Sequence, residues 1–167
     1  MKQICASTKL AVTMIITLAG FIAAAAADPA KGKITFKSKS GAVVVEVKHA
    51  FLVKGPDVVT GQTMRRVVLS VADVGPALNK CNDMGCSDGG IGEGMTIDFD
   101  AGPRINYWFV ANDQRVQYSG TADPKSVKLT TNTPGRLAGT WELDASAAGG
   151  PVVHVEFDAA LVKELKK

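Results

Sequence analysis

Hydrophobic and polar residues alternate with a period of two through most of the chain after residue 30. The longest run covers residues 42–53, where valines alternate with residues such as Glu46 and Lys48. This alternation is typical of a β-strand with one face buried. Continued through the whole run, it predicts one buried face made of Val43, Val45, Val47, His49, Phe51 and Val53.

Two further segments alternate in the same way. The segment 64–72 is predicted to bury Val67 and Leu69 and to expose Arg66 and Ser70. In the segment 95–100 the buried face is Met95, Ile97 and Phe99. Residues 159–165 fit either a last edge strand or a helical turn.

About nine alternating segments are separated by turns rich in glycine and proline, and only residues 73–80 have the pattern of a short helical turn. Strands and helices do not alternate as they do in parallel α/β folds. We therefore predict an all-β domain. The architecture expected is an antiparallel β-sandwich, immunoglobulin-like or jelly-roll-like, with a barrel as the second choice.

The first 27 residues have the pattern of a secretory signal peptide. Lys2 and Lys9 precede an apolar stretch, and small residues up to Ala27 form a cleavage site. An uncleaved membrane anchor is the alternative. We predict a signal peptide over residues 1–27, followed by a single all-β domain over 28–167 that is periplasmic or secreted and has no membrane segment after cleavage.

Charge argues against nucleic acid as a partner. The chain has 19 basic and 16 acidic residues, and the predicted leader removes Lys2 and Lys9. The 17 basic residues that remain against 16 acidic ones leave a net charge of about +1. Nucleic-acid-binding domains need a clustered basic surface, which this composition does not provide.

A glycine-rich loop between residues 80 and 95 contains Cys81 and Cys86, the cysteines that remain after the leader is removed. An oxidising compartment favours a disulfide between them. Such a short closed loop predicts a stabilisation of about 2 kcal/mol, so the bond shapes the loop more than it holds the fold.

The same loop carries three carboxylates that suggest a metal site. Asp83, Asp88 and Glu93 are hard oxygen ligands of the kind that Ca²⁺ prefers, although their spacing does not follow the EF-hand rule. His49 with nearby methionines is a weaker candidate for copper. A purely structural loop is the alternative in the first case, and a buried, hydrogen-bonded histidine in the second.

A second candidate site lies on the predicted hairpin around Asn112-Asp113. If Tyr107 faces the core, Trp108 points to the opposite face together with Asn106. With Arg115 and Gln117 on the partner strand, these residues form a flat surface suited to a peptide or glycan. The alternative is that both faces of the sheet are covered and that Trp108 is a core residue.

No pattern for catalysis emerges. The chain lacks the G-x-S-x-G motif of serine hydrolases, and four residues between the cysteines exclude the redox C-x-x-C motif. Asp98 and Asp100 lie two residues apart on one face of a strand, as the acids of a glycosidase could. Surface acids on an alternating strand have the same spacing and need no catalytic explanation. We predict no enzymatic activity, no catalytic residue and no cofactor.

Three stretches resemble a family of small exported bacterial proteins of uncharacterised function. They are His49-Ala-Phe-Leu-Val-Lys-Gly-Pro-Asp57, Tyr118-Ser-Gly-Thr-Ala-Asp123, and Ala148-Gly-Gly-Pro151 through Val155-Glu-Phe-Asp158. The resemblance implies a bacterial, extracytoplasmic setting and carries no ligand residues. The expectation is a binding or interaction module for a peptide, a glycan or an envelope protein, and the alternative is a calcium- or copper-binding protein.

Overall fold

A computed structural model describes residues 29–166, and the predicted leader lies outside them. The described chain forms ten strands, one short α-helix and three 3-10 turns. The strands are β1 (Ala30–Ser38), β2 (Gly41–Val47), β3 (His49–Pro56), β4 (Thr63–Ser70), β5 (Gly94–Phe99), β6 (Ile105–Ala111), β7 (Val116–Ala122), β8 (Val127–Thr133), β9 (Arg136–Asp144) and β10 (Val152–Glu164). The α-helix is α1 (Gly75–Leu78), and the 3-10 turns are Gly85–Ser87, Pro124–Ser126 and Ser146–Ala148.

All ten strands belong to one hydrogen-bonded sheet. Its main path runs β2-β1-β10-β3-β4-β5-β6-β7, and β9 and β8 branch from β10. The pairs are antiparallel except for the parallel pair of β3 with β10, so the sheet is mixed. It curls into a half-barrel. The all-β class is therefore confirmed, whereas the predicted β-sandwich of two antiparallel sheets is not.

Strand β10 connects the two branches of the sheet. Its first half lies between β1 and β9, and its end, Ala160–Glu164, pairs with β3. Residues 159–164 are thus a continuation of a strand rather than a helical turn. Their own pattern does not distinguish these outcomes, because the pairing partner comes from a segment more than a hundred residues earlier.

The long alternating run of residues 42–53 changes phase at Lys48. Before it, Val45 and Val47 are buried inside the curl; after it, Ala50 and Leu52 take the inner positions. The prediction that one face continues from Val45 through Phe51 and Val53 is therefore wrong. At this break the chain stops pairing with β1, the partner of β2, and begins pairing with β4, the partner of β3. The Lys48 N–H donates to the Ser70 carbonyl oxygen at 3.0 Å.

The inner face of the curl encloses the main hydrophobic core. Tyr107 of β6 meets Trp141 of β9 edge to face, with ring centroids 5.5 Å apart. Phe36 of β1 lies 5.7 Å from Phe109 of β6. These contacts join strands that are far apart in the sheet order, and aromatic pairs of this kind add stability beyond the area that they bury.

A second hydrophobic cluster lies on the outer face of the sheet. Its strand members are Val53, Met64, Val68 and Val110. The segment between β4 and β5 folds back over them and contributes Val74, Leu78, Met84 and Ile91. This covering segment consists of α1 and the cysteine-containing loop, so that loop is part of the folded body.

Candidate functional site

We call residues 79–93 the disulfide loop. Cys81 and Cys86 form a disulfide with Cα atoms 5.5 Å apart, so the predicted pairing is confirmed. Cys81 is 2% exposed, whereas Cys86 lies at the surface. The bond therefore ties an exposed turn to a buried residue.

Arg66 of β4 fastens this loop to the sheet. Its Nε and Nη2 donate to the two carboxylate oxygens of Asp98 on β5, at 2.5 and 2.8 Å. Its Nη1 donates to the Met84 carbonyl oxygen at 2.8 Å, to Ser87 Oγ at 3.1 Å and to Asp88 Oδ1 at 2.8 Å. One guanidinium thus binds a strand and a loop, using the planar donor geometry that lysine lacks.

The burial of Arg66 was not anticipated from the alternation. Arg66 is only 9% exposed and Ser70 is 1% exposed, so the prediction that both face solvent is wrong. Alternation correctly places Arg66 and Ser70 on the other face of the sheet from Val67 and Leu69, but the disulfide loop covers that outer face. Both groups are satisfied there, since Ser70 Oγ donates to the Ala72 carbonyl oxygen at 2.7 Å.

The carboxylates around Arg66 counteract the effect of burial on its pKa. Burial by itself lowers the pKa of Arg66, but hydrogen bonds and charge from Asp98 and Asp88 outweigh it and raise the pKa above its ordinary value. Burial also raises the pKa of Asp88, and the negative charge of Asp98 adds to that effect. The guanidinium is therefore a permanent cation, while the Asp88 carboxyl takes up a proton at a higher pH than an ordinary aspartate does.

An apolar cleft of about 320 Å³ opens between α1 and the disulfide loop. Its lining is apolar apart from one hydroxyl, that of Ser87. This hydroxyl already accepts from Arg66 Nη1 and donates to the Met84 carbonyl oxygen. Ala77 and Gly90 stand on opposite walls, and a Cβ added at Gly90 would lie 3.8 Å from the Ala77 Cβ. The lining residues are Val74, Ala77, Leu78, Cys81, Cys86, Ser87, Gly89, Gly90 and Ile91.

The three carboxylates considered for calcium have separate partners. Asp83 accepts from the Cys86 N–H at 2.8 Å, and Asp88 accepts from Arg66. Glu93 accepts from the Asn112 N–H at 3.2 Å. In the described part of the chain, no three His, Cys, Asp or Glu side chains are grouped so as to hold a metal ion. The structure therefore does not bring the predicted loop site together.

The candidate ligand surface around Trp108 is only partly assembled. Tyr107 is buried inside and Trp108 lies on the outer face, as the alternation predicts. Asn106 and Gln117 are exposed on that same face. Trp108 itself is half-buried against the outer cluster, so only part of its ring is open to a ligand.

Arg115 lies apart from those residues because it is the last residue of the hairpin turn and not, as predicted, part of the partner strand. The turn spans residues 112–115, and Asn112, Asp113 and Gln114 all have left-handed backbone angles. Arg115 lines a polar cleft of about 740 Å³ at this end of the sheet. The other lining residues are Ser40, Glu93, Asn112, Asp113 and Val116.

Sequence reasoning missed Arg66 and the apolar cleft, although one signal for Arg66 was present. Two adjacent arginines, Arg65 and Arg66, occur on one strand, and the acids Asp98 and Asp100 occur on another. In the structure Arg66 binds Asp98 and Arg65 binds Asp100, so these acids are ion-pair partners across β4 and β5. Such complementary charges on two strands indicate that the strands are neighbours.

Within residues 29–166, no helix is long and apolar enough to cross a membrane. Comparison with protein-family models, with curated proteins and with solved structures gave no match. The resemblance to a family of exported proteins therefore stays a prediction, and the functional argument depends on the geometry of the disulfide loop and its cleft.

Proposed function

We propose that this protein is an exported, non-enzymatic binding module that captures an aliphatic side chain of a partner polypeptide in the apolar cleft. The observation that carries the proposal is the construction of that cleft. Its two walls are α1 and the disulfide loop, and its lining residues are almost all apolar. A concave apolar site with few polar groups is the usual form of a binding site.

The size of the cleft favours a side chain over a cofactor. Its volume of about 320 Å³ lies at the lower limit for sites that hold a whole small molecule, which span about 300–1,000 Å³. The one lining hydroxyl, that of Ser87, already has its partners, so no free side-chain group is available to orient a polar ligand. An inserted leucine or isoleucine needs no such group.

Rigidity supports the same function. The Cys81–Cys86 bond restrains one wall, and Arg66 holds the Met84 carbonyl oxygen and Ser87 beneath it. A site that is ordered before binding loses less conformational entropy when the partner arrives. A short disulfide that fixes the shape of a loop is therefore well suited to an interaction surface.

The proposed location is the periplasm or the exterior of the cell. Structural disulfides form and persist in oxidising compartments, and the predicted signal peptide over residues 1–27 provides the route. A peptide segment of an envelope protein is the kind of partner that such a module would meet there.

Amide chemical shifts test the site directly. We would titrate N-acetyl-leucine amide, as the minimal aliphatic probe, into the isotopically labelled protein and map the shifted amides. The proposal expects the shifts to concentrate at Ala77, Gly90 and Ile91. Ala77→Phe, which fills the cleft from its exposed wall, should abolish them.

Ala147→Phe is the matched control, because Ala147 is also exposed but lies in the β9–β10 connection, away from the cleft. It should leave the shifts unchanged. Shifts concentrated around Trp108 and Gln117, with none at the residues of the cleft, would overturn the proposal and indicate a site on the surface around Trp108. No shifts at saturating probe would also overturn it.

A further inference from the structure

Three strands of the sheet have an unpaired edge. Within residues 29–166, β2 pairs only with β1, β7 only with β6, and β8 only with β9. An unpaired edge presents a row of backbone N–H and C=O groups to any extended chain. Proteins therefore protect their edges with lysines, prolines, polar side chains or bulges.

Two of the three edges carry such protection. Strand β8 has a register shift between Leu129 and Thr131 and an exposed Lys128. Strand β7 exposes the polar residues Gln117 and Ser119. These features interrupt or solvate the edge, so neither strand is suited to pair with another chain.

Strand β2 is the least protected of the three, since Glu46 is its one polar side chain. Its seven residues, Gly-Ala-Val-Val-Val-Glu-Val, contain no proline and no lysine, and its pairing with β1 shows no register shift. Val44 is 54% exposed on the outer face. Consecutive valines in an edge strand without a bulge favour the addition of another strand.

We infer that a second copy of this chain pairs antiparallel with β2, across a twofold axis that passes between the two Val44 residues. In this register Val43 stands opposite Val45 of the other copy, and both lie on the inner face of the sheet. Val43 is only half-buried in one copy, where it packs against the core. The added strand would continue the inner hydrophobic cluster from one half-barrel to the next.

The charges of the strand fit the same register. Glu46 is the only charged residue in β2, and it stands opposite Ala42 of the second copy, so like charges do not meet. Valines then meet valines across the axis, Val44 against Val44 and Val43 against Val45, so the apolar part of the strand is complementary to itself. This self-complementarity favours a second copy over an unrelated peptide.

Sedimentation equilibrium of the purified protein over a wide concentration range tests the inference. The wild-type chain should show a monomer–dimer equilibrium. Val44→Lys and Val44→Glu should each raise the dimer dissociation constant by at least about tenfold, because each places like charges opposite one another. An equimolar mixture of the two variants should dimerise again, since Lys then stands opposite Glu.

Val59→Lys is the matched control. Val59 is more exposed than Val44 but lies in the β3–β4 connection, so its substitution should not change the equilibrium. Circular dichroism and the unfolding temperature should show that both Val44 variants remain folded. A wild-type monomer at every concentration would overturn the inference, and so would a dimer that persists in Val44→Lys.

Discussion

Arg66 and Asp98 face each other across β4 and β5 and are joined by two parallel hydrogen bonds of 2.5 and 2.8 Å. The remaining guanidinium nitrogen, Nη1, points to the disulfide loop and binds Met84, Ser87 and Asp88. The position of the loop is therefore determined by a side chain of the sheet. Bidentate arginine–carboxylate pairs are among the stronger polar contacts in proteins.

Substitution of Arg66 by methionine should be strongly destabilising. It leaves the largely buried Asp98 carboxylate without its partner and removes three contacts to the loop. Breaking one side of a buried ion pair costs about 3–5 kcal/mol. Arg66→Lys should lose less stability than Arg66→Met because it keeps the positive charge. It should still be less stable than the wild type because lysine lacks the planar set of donors. Urea unfolding at neutral pH measures both.

Arg136→Met serves as the comparison for Arg66, since Arg136 forms an exposed ion pair with Asp158. Exposed pairs contribute little because water screens them, so this variant should unfold close to the wild type. An equal loss of stability in Arg66→Met and Arg136→Met would contradict the prediction that burial beneath the loop makes the Arg66 ion pair the more stabilising of the two.

Removal of the disulfide should have a moderate effect. The double variant Cys81→Ser with Cys86→Ser should lose about 2 kcal/mol, since the closed loop is short. The sheet should remain folded because Arg66 still holds the loop. Hydrogen exchange should be faster at amides of residues 79–93 than at amides of β4 and β5. Complete unfolding of the variant at room temperature would contradict this expectation.

The two tryptophans should differ in their contribution to stability. Trp141 is fully buried in the inner core, and truncation to alanine should cost about 3–5 kcal/mol. Trp108 is half-buried, so Trp108→Ala should cost less, about 2 kcal/mol. Chemical unfolding followed by circular dichroism compares them. A Trp108→Ala variant as stable as the wild type would indicate a surface residue free for a ligand.

Gly94, the first residue of β5, should not tolerate a side chain. Its φ is +154°, and a Cβ there would lie 2.0 Å from the Leu69 carbonyl oxygen. Gly94→Ala should therefore cost about 2 kcal/mol or more, because backbone atoms must move. Gly102→Ala is the control, since nothing lies within 4 Å of the added atom. Thermal unfolding should separate the two variants clearly.

Acid should weaken the fold to a small extent through Asp158, since water screens its exposed ion pair with Arg136. The hydrogen bonds from Arg136 hold the pKa of Asp158 below its ordinary value of 3.8. The unfolded chain therefore takes up a proton at a higher pH than the folded chain. The stabilisation is present above about pH 4 and is lost as the pH falls through the folded-state pKa.

Asp158→Asn removes this contribution, so its stability should fall less steeply between about pH 5 and pH 3 than that of the wild type. Arg136→Gln should flatten the profile in the same way, because it removes the cause of the pKa shift. Urea midpoints measured across this range provide the comparison. Parallel profiles for all three proteins would exclude a role for this ion pair.

Several features of the fold could be predicted from the sequence because they depend on neighbours along the chain. The alternation in β5 and β6 correctly places Met95, Ile97 and Tyr107 in the core, since side chains of a strand point to opposite faces in turn. The cysteine pair was predictable because its five-residue separation already brings the two sulfurs close together.

The candidate site could not be predicted in the same way. Alternation shows that Arg66 lies opposite Val67, but only the folded chain reveals that α1 and the disulfide loop cover that side. The apolar cleft is formed by the two ends of this covering segment. Its position depends on contacts with sheet residues such as Val68 and Val110, which come from different strands.

By itself the sequence determined the all-β class, the strand segments and the cysteine pair, because alternation and short-range spacing are local properties of the backbone. Tertiary structure alone decided the curled mixed sheet, the change of phase at Lys48 and the burial of Arg66. Each of these depends on which distant segment becomes a neighbour. Burial of an outer face, unlike the direction of a side chain, is settled only when the remainder of the chain packs against it.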